Sequence, residues 1–302
     1  MDQLVLAPAA RRDAVLQLMR SAQRRLALSL FRCDDFSILD EVAAAVKRNV
    51  AVQVLMTRRA RGWKRRLEEL GALLRSIGAD VQPYRGPVVK YHAKYIVADD
   101  GPAMVSSLNF TRKCFEHTCD FLVFSDRSEV VSGLKILFEN DCRSPSAPLP
   151  AMTDRLIVGP ENARERFTRL IHGARTSIRI IDHRVTDPAI LSLLCQKQNE
   201  GVAVQVLGGG PMGGLISHGR MMLIDNAAAA VGSIHLSPQS LDWRREVAIV
   251  TEEPEVVAEL SEFFENLAAD RSNAVRFWET PVSLLPDDDE DEDDENGSAA
   301  DA

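Results

Sequence analysis

The stretch "YHAKYIVADDGPAMVSSLNFT" at residues 91–111 begins with a histidine and a lysine two positions apart, just before an apolar run. In a strand, residues two apart share a face, so His92 and Lys94 are predicted to point the same way. Three further polar residues follow: Asp99, Ser107 and Asn109. A single His-x-Lys pair has little specificity, and the rest of the chain decides whether this one carries chemistry.

The same pattern occurs a second time. The stretch "SHGRMMLIDNAAAAVGSIHLSP" at 217–238 aligns with the first at an offset of 126 residues. The aligned pairs are His92 with His218, Lys94 with Arg220, Asp99 with Asp225, Ser107 with Ser233, and Asn109 with His235. Farther along, "DFLVFSD" (120–126) aligns with "EVAIVTE" (246–252), which matches Asp120 with Glu246. Two copies in one duplicated frame are a far more specific signal than either copy alone.

The duplication extends upstream of both motifs. The segment "NVAVQVLM" at 49–56 returns as "GVAVQVLG" at 201–208, now at an offset of 152 residues. Helix-like segments at about 36–48 and 187–199 precede these strands. Strands alternating with helices at this spacing predict βαβ units and a parallel-rich sheet in an α/β fold. The offset shrinks because the first half carries 26 extra residues before its motif.

A boundary between the halves is predicted at "RSPSAPLPAMTD", which is rich in Pro and Ser. We predict a first lobe over 1–142, a linker over 143–154, a second lobe over 155–280 and an acidic tail over 281–302.

The tail contains "DDDEDEDDE" at 287–295. This run and Asp301 hold ten of the 44 carboxylates, which leaves 34 acidic residues against 36 Lys and Arg in the rest of the chain. The body is therefore about neutral despite the net charge of −8. The run predicts a disordered, self-repelling tail. An alternative is a mimic of a polyanionic ligand that covers a basic site.

Five cysteines without metal-like spacing predict free thiols in a reducing compartment. The N-terminus shows no signal-peptide pattern, and no apolar run approaches the roughly 20 residues that span a bilayer. We therefore expect a cytoplasmic protein that meets any lipid substrate from outside the membrane.

The paired motifs have the chemistry that a phosphodiester needs. If the two halves pack about a pseudo-two-fold axis, two imidazoles, an ammonium and a guanidinium could converge on one cleft. One histidine would attack phosphorus and the other would protonate the departing alkoxide. Lys and Arg would hold the non-bridging oxygens. This chemistry requires no metal and no cofactor.

The His-x-Lys-x4-Asp pattern followed by "SSLN" resembles the signature of the phospholipase D superfamily, and the duplication resembles its two-motif members, such as bacterial cardiolipin synthases. The resemblance implies two pseudo-symmetric α/β/α sandwich lobes with one active site between them. It implies catalytic roles for His92, His218, Lys94 and Arg220. It further implies phosphate binding by Ser107, Asn109, Ser233 and His235, imidazole orientation by Asp120 and Glu246, and motif support by Asp99 and Asp225.

The second motif departs from this pattern. Arg220 stands where the family has Lys, and His235 where it usually has Asn. In the first motif, Ser106 replaces the Gly of the usual Gly-Ser pair, which is intact at Gly232. We interpret the first motif as the better preserved and predict His92 as the nucleophile. The alternative is a partly degenerate site in a protein that binds without turnover.

The substrate is less constrained. The run "RRARGWKRR" at 58–66 lies in the extra segment of the first half and holds six basic residues and Trp63. It could contact anionic lipid headgroups, with Trp63 at the membrane boundary. It could instead contact nucleic acid, or be the solvated face of a helix.

Three functional hypotheses follow from these interpretations. The first hypothesis is a phosphodiesterase or phosphatidyltransferase that acts on phospholipid headgroups through a phosphohistidine. The second is a metal-independent endonuclease, and the third is a catalytically weak binding protein. Because the duplication places both motifs in one chain, we expect a monomer.

Overall fold

The computed structural model describes residues 1–143, 146–208 and 210–269. The predicted acidic tail lies outside these residues, as do two residues of the predicted linker. None of the helices among the described residues is both long and apolar enough to cross a bilayer.

The first half contains fourteen elements. In chain order they are β1 (Asp2–Val5), α1 (Pro8–Ser21), β2 (Arg25–Leu30), α2 (Phe36–Lys47), β3 (Ala51–Met56), α3 (Lys64–Ile77), β4 (Asp80–Pro83), β5 (Lys90–Tyr91), β6 (Tyr95–Ala98), β7 (Ala103–Ser106), α4 (Arg112–Glu116), β8 (Thr118–Cys119), β9 (Leu122–Ser125) and α5 (Ser128–Arg143).

The second half repeats the plan. Its elements are β10 (Leu156–Gly159), α6 (Ala163–Gly173), β11 (Ser177–Ile181), α7 (Pro188–Asn199), β12 (Ala203–Leu207), β13 (Ile216–Ser217), β14 (Arg220–Ile224), β15 (Ala228–Gly232), α8 (Pro238–Asp242), β16 (Arg244–Thr251) and α9 (Pro254–Ala268).

The two main sheets have the same strand order. The first runs β1-β9-β7-β6-β2-β3-β4 and the second runs β10-β16-β15-β14-β11-β12. The extra segment of the first half supplies α3 and β4, which have no counterpart among the described residues of the second half. The repeat is visible even in a helix cap. Asp35 accepts a hydrogen bond from the backbone at the start of α2, and Asp187, 152 residues later, does so for α7.

The predicted parallel-rich sheet is wrong for most of each sheet. The predicted βαβ units are present, because β2 pairs in parallel with β3 and β11 with β12. The strands that follow each histidine are antiparallel instead: β6 with β7, and β14 with β15. Only a few residues separate the strands of each pair, and a short connection permits only an antiparallel hairpin.

The core has three apolar layers. Helices α1, α2 and α3 cover the outer face of the first sheet, and α6 and α7 cover the outer face of the second. Between the sheets, Leu134 of α5 and Leu260 of α9 pack in one cluster with Val105 and Val231 of the facing strands. Each such side chain, fully buried, contributes roughly 1.5–3 kcal/mol, so this shared layer holds the halves together. The α/β class and the two sandwich lobes are confirmed.

Candidate active site

Two short parallel ladders exchange strands between the halves. In one, β5 pairs with the start of β16, with Lys90 opposite Arg244. In the other, β13 pairs with β8, with Ile216 opposite Thr118. The two ladders obey the same 126-residue offset as the motifs, so the exchange is reciprocal. Each ladder ends just before a histidine on one strand and an acidic residue on the other.

The exchange pairs each histidine with the acid of the opposite half. His92 Nδ1 lies 2.6 Å from Glu246 Oε1, and His218 Nδ1 lies 2.8 Å from Asp120 Oδ1. The sequence indicated that the two acids orient imidazoles but did not say which acid serves which. An ionised carboxylate only accepts hydrogen bonds, so each Nδ1 carries the proton. In each neutral imidazole the lone pair therefore lies on Nε2.

Gly219 permits the close approach of the second ladder. Its backbone N–H donates to the carbonyl of Cys119 at 2.6 Å. A Cβ at this position would lie 2.5 Å from the same carbonyl oxygen. Only glycine fits between His218 and Arg220, whereas the first motif has Ala93 at the equivalent position.

Asp120 is held from several directions. Its carboxylate accepts a hydrogen bond from Ser107 Oγ at 2.6 Å and from Thr118 Oγ1 at 2.5 Å, besides the His218 imidazole. The buried guanidinium of Arg11 donates to the backbone carbonyls of Thr118 and Asp120 at 2.6 and 3.0 Å. Burial alone would raise the pKa of Asp120, but His218 and the two hydroxyls outweigh it and lower that pKa below its ordinary value.

Glu246 has fewer contacts. Its Oε1 accepts from His92, while its buried Oε2 has no hydrogen-bond partner within the described part of the chain. Burial opposes ionisation here too, yet the His92 contact lowers the pKa of Glu246. Both acids are therefore carboxylates at neutral pH.

Both imidazoles are neutral at neutral pH. Burial and then the charge of Lys94 lower the pKa of His92 well below its ordinary value, although Glu246 opposes them. Burial also lowers the pKa of His218, against the charge of Asp120. His92 is 1% exposed and His218 is 9% exposed. Of the two, His218 is the more accessible to solvent.

Lys94 and Arg220 bring the cations of both halves to one place. Lys94 Nζ donates to the backbone carbonyl of His92 at 2.9 Å and lies 5.1 Å from the centre of the Phe31 ring. Burial and then the charge of Arg220 lower the pKa of Lys94 well below its ordinary value. The charges of Arg220 and Lys94 both act on His218 as well. The two motifs therefore form a single electrostatic site.

The departures of the second motif form a connected chain. Arg220 Nε lies 2.9 Å from His235 Nε2, and His235 Nδ1 lies 2.5 Å from Asp182 Oδ1. A guanidinium only donates, so His235 accepts at Nε2 and carries its proton on Nδ1. Asp182 Oδ2 accepts from the backbone N–H of Leu236 at 2.8 Å. Burial raises the pKa of Asp182 to about 6. An asparagine at 235 could not span from the guanidinium to Asp182 as the imidazole does.

The residues predicted to bind phosphate have different environments. Asn109 is buried, and its Oδ1 has no hydrogen-bond partner among the residues that the structure describes. The hydroxyl of Ser107 contacts Asp120, and that of Ser233 accepts from the backbone N–H of Val247 at 3.1 Å. His235 contacts Arg220, as described above. Phosphate binding by these four residues stays a prediction.

Asp99 and Asp225 lie at the hairpin turns, at the far ends of β6 and β14. Asp99 accepts from three consecutive backbone N–H groups, those of Gln23, Arg24 and Arg25. Asp225 does the same for residues 175–177. Both have positive φ, which suits their turn positions. These contacts tie each hairpin to the start of β2 or β11, which is a supporting role.

Two groups of described residues have donor atoms close enough together to hold a metal ion: Cys114 with Asp120 and His218, and Asp182 with His183 and His235. In the first group, Asp120 already accepts two hydroxyls and an imidazole. In the second, Arg220 donates to His235, and a guanidinium repels a cation. Neither donor set fits a metal well.

Sequence reasoning missed four residues of the site. They are Arg11, Phe31, Asp182 and His183. The rings of Phe31 and His92 meet edge-on at 4.6 Å, and those of His183 and His235 at 4.7 Å. The 152-residue offset aligns "LFR" at 30–32 with "DHR" at 182–184. The polar residues at 182 and 183, where the first half has apolar ones, were therefore a usable sign that they belong to the site. Arg11 stands alone in a helix and gave no such signal.

Comparisons with known proteins identify the family of this chain. A family model described as "Cardiolipin synthase, PLD-like domain" matches residues 15–142 and 211–268, more than half of the chain. A search of curated proteins gave no significant match.

Solved structures share the fold. Polyphosphate kinase from Porphyromonas gingivalis superimposes with a TM-score of 0.75 and 21% identity over 91% of this chain, and this chain spans 48% of its length. Phosphatidylserine synthase from Haemophilus influenzae Rd KW20 gives a TM-score of 0.70 and 11% identity over 91% of this chain and 87% of its own. At these identities the likeness shows the fold alone. With its family-model match, the chain belongs to the phospholipase D superfamily, in the family of cardiolipin synthase PLD-like domains.

Proposed function

We propose that the protein cleaves the headgroup phosphodiester of a phospholipid through a covalent phosphohistidine, and passes the phosphatidyl group to water or to an alcohol. The observation that carries this proposal is the reciprocal pairing of His92 with Glu246 and His218 with Asp120. Each carboxylate fixes its imidazole in the tautomer that carries the lone pair on Nε2.

In the first step, the Nε2 lone pair of His92 attacks phosphorus, and the bond from phosphorus to the headgroup oxygen breaks. His218 takes up a proton at Nε2 when the anionic phosphate binds beside it, because a nearby negative charge favours the imidazolium form. It gives this proton to the headgroup oxygen, so the headgroup leaves as an alcohol. In the second step, neutral His218 takes a proton from water or an acceptor alcohol, whose oxygen attacks phosphorus and releases His92. Every proton that His218 donates is recovered, and the enzyme returns to its starting state.

The contrast between the imidazoles supports His92 as the nucleophile. Lys94 and burial keep His92 neutral, which is the nucleophilic form. His218 has an acid with more partners behind it and is the more exposed of the two, so it can exchange protons with solvent. Lys94 and Arg220 would hold the non-bridging oxygens of the phosphate, and Asn109 Oδ1 would accept from a substrate hydroxyl.

The phospholipid substrate is inferred from the family match and from one feature of the basic run. The nuclease alternative would use Trp63 as a stacking platform for bases. Trp63 is 4% exposed and lies between the guanidinium groups of Arg32 and Arg66, at 5.2 and 5.1 Å. It is therefore not open to a base. The binding-protein alternative expects a damaged second motif, whereas Arg220, His235 and Asp182 form a complete hydrogen-bonded chain. With both motifs in one chain, we propose that a monomer suffices.

A cleavage assay in EDTA tests the proposal. Wild type, His92→Ala and the surface control His172→Ala would each meet headgroup-labelled phosphatidylglycerol vesicles and end-labelled single-stranded DNA. We expect headgroup release by wild type and His172→Ala and none by His92→Ala. DNA cleavage that depends on His92 would support the nuclease hypothesis instead. No cleavage of either substrate would favour the hypothesis of a catalytically weak binding protein.

A further inference from the structure

A cationic cavity lies beside the site, in the extra segment of the first half. It has a volume of about 1050 Å³, and its charged lining residues are five arginines, two lysines and Glu68. Arg58, Arg59 and Lys64 are exposed on this lining. No carboxylate of the described residues forms an ion pair with these three side chains, whereas Arg65 of the same run pairs with Glu69 at 2.7 Å. Arg58, Arg59 and Lys64 therefore give this lining a positive charge that suits an anionic surface.

The inner wall of the cavity borders the candidate active site. Lys90 and Arg244 line its inner wall and are opposite each other in the β5–β16 ladder. His92 and Glu246 each follow two residues later in the chain. Lys90 Nζ also lies 4.9 Å from the centre of the Phe31 ring, which contacts the His92 ring as well. An anion held in the cavity would lie next to the predicted nucleophile.

Two large apolar side chains stand exposed where the ladder begins. Val89 is 71% exposed and Trp243 is 60% exposed. They are adjacent, because the backbone N–H of Val89 donates to the carbonyl of Trp243 at 2.9 Å. Val89 also lines the cavity. Trp63, which the sequence suggested as the interfacial residue, is buried, and Trp243 is the tryptophan that faces solvent here.

We propose that Arg58, Arg59, Lys64, Val89 and Trp243 form a docking face for the surface of an anionic bilayer. Trp243 and Val89 enter the interfacial layer, where an indole is most stable, while the cations contact lipid phosphates. The neighbouring headgroup then lies at the mouth of the cleft. The choice of lipid rests on the proposed function, but docking itself requires no turnover.

An anionic bilayer fits this face better than a nucleic acid does. Among the described residues that line the cavity there is no aromatic side chain on which bases could stack. An exposed tryptophan next to an exposed valine on a cationic rim is instead the composition of peripheral membrane surfaces. Isolated exposed apolar residues are common, but an adjacent pair beside a cluster of cations is a feature that calls for a partner.

Vesicle co-sedimentation of the full-length chain tests the docking face. The vesicles would be phosphatidylcholine alone or phosphatidylcholine with phosphatidylglycerol. The variants are Trp243→Ala, Val89→Ser and Arg58→Ala/Arg59→Ala. The matched controls are Arg65→Ala, from the same run but outside the cavity, and Phe36→Ala, which is 69% exposed at the start of α2. Circular dichroism would establish that each variant folds.

We expect binding only to the anionic vesicles, and weaker binding at higher salt. Each removed cation should weaken binding about fivefold, and Trp243→Ala about tenfold, while both controls bind as wild type does. Equal binding to neutral vesicles, equal losses in the controls, or binding of single-stranded DNA alone that is lost in the same variants would overturn the proposal. Vesicle binding by His92→Ala, with no lipid cleavage by wild type, would leave docking intact and refute the proposed function.

Discussion

Each half of the site holds a carboxylate against a histidine, but the two carboxylates differ in their number of hydrogen-bond partners. Asp120, behind His218, has three side-chain partners, and Arg11 holds its backbone. Glu246, behind His92, has one side-chain partner among the described residues. The histidine of the first motif, which is closer to the family signature, thus pairs with the acid that has fewer partners. The histidine of the second motif, which departs from the signature, pairs with the acid that has more. The comparison teaches that similarity to a signature does not measure how well a site is built.

The strongest test of this comparison is to ask which histidine becomes phosphorylated. We expect His218→Asn to accumulate a phosphohistidine adduct from a phosphorus-labelled diester with a nitrophenyl leaving group, because that group departs without an acid whereas the second step lacks its base. His92→Ala should form none. Turnover should fall by about 10⁴-fold or more in His92→Ala, since both steps require the nucleophile. Acid-labile label on the protein is the measurement. Label that survives His92→Ala and disappears in the His218 variant would reverse the assignment.

Neutralising the two acids should separate catalysis from stability. Asp120→Asn and Glu246→Gln should each lower kcat by about 10²- to 10⁴-fold, because each imidazole loses the partner that fixes its tautomer. Asp120→Asn should also lower the free energy of unfolding by about 3–5 kcal/mol, since it breaks a buried charged network. Glu246→Gln should cost clearly less. Urea unfolding measures the loss of stability and steady-state kinetics measures the loss of kcat for each variant. Equal losses of stability in the two variants would contradict the difference in support between Asp120 and Glu246.

The chain from Arg220 through His235 to Asp182 predicts that the two departures depend on each other. Arg220→Lys and His235→Asn should each lower kcat/KM by about 10- to 100-fold. The double variant restores the family pair and should recover part of that loss, with a coupling free energy of about 0.5–3 kcal/mol. A double-mutant cycle on kcat/KM provides the test. Losses that simply add would show that residues 220 and 235 are not energetically coupled.

Three buried histidines and the half-buried His183 should make stability depend on pH. Burial lowers the pKa of His92, His183, His218 and His235 in the folded state. The unfolded chain therefore takes up protons first as the pH falls through about 6.5. Stability is fully present above that pH and declines below it, by about 1.4 kcal/mol per pH unit for each histidine that differs. Urea unfolding at several pH values measures this slope, and His235→Asn should reduce it. A flat profile between pH 7 and 5 would contradict the neutral assignment.

Much of the fold could be predicted from the sequence, because a duplication doubles every pattern. The strand "VAVQVL" and its helix occur twice, and the βαβ units are found where predicted. The sheet direction beyond them was wrong, because the apolar pattern of β6 and β7 is the same in parallel and antiparallel sheets. Their short connection, 99–102, was the usable clue.

The candidate site was only partly predictable. The two motifs are short and their polar residues follow a strict spacing, so twelve positions could be named from the sequence. Which acid contacts which imidazole depends on how the halves meet, and no local pattern contains that information. Asp182 joins the site because β11 lies beside β14. Trp63 was placed at a membrane boundary from composition alone, and packing against α3 and two guanidinium groups buried it instead.

The exchanged ladders also constrain how this gene could have evolved. Once each copy of an ancestral unit supplied the acid for the other copy's histidine, neither could be deleted or drift alone without silencing both. Changes such as those at 220 and 235 survive only where the neighbouring positions accommodate them. For the experimenter, the same interlock offers a reporter. If the chain is split in the segment between α5 and β10, neither fragment alone should be active, and activity should return when the two fragments associate.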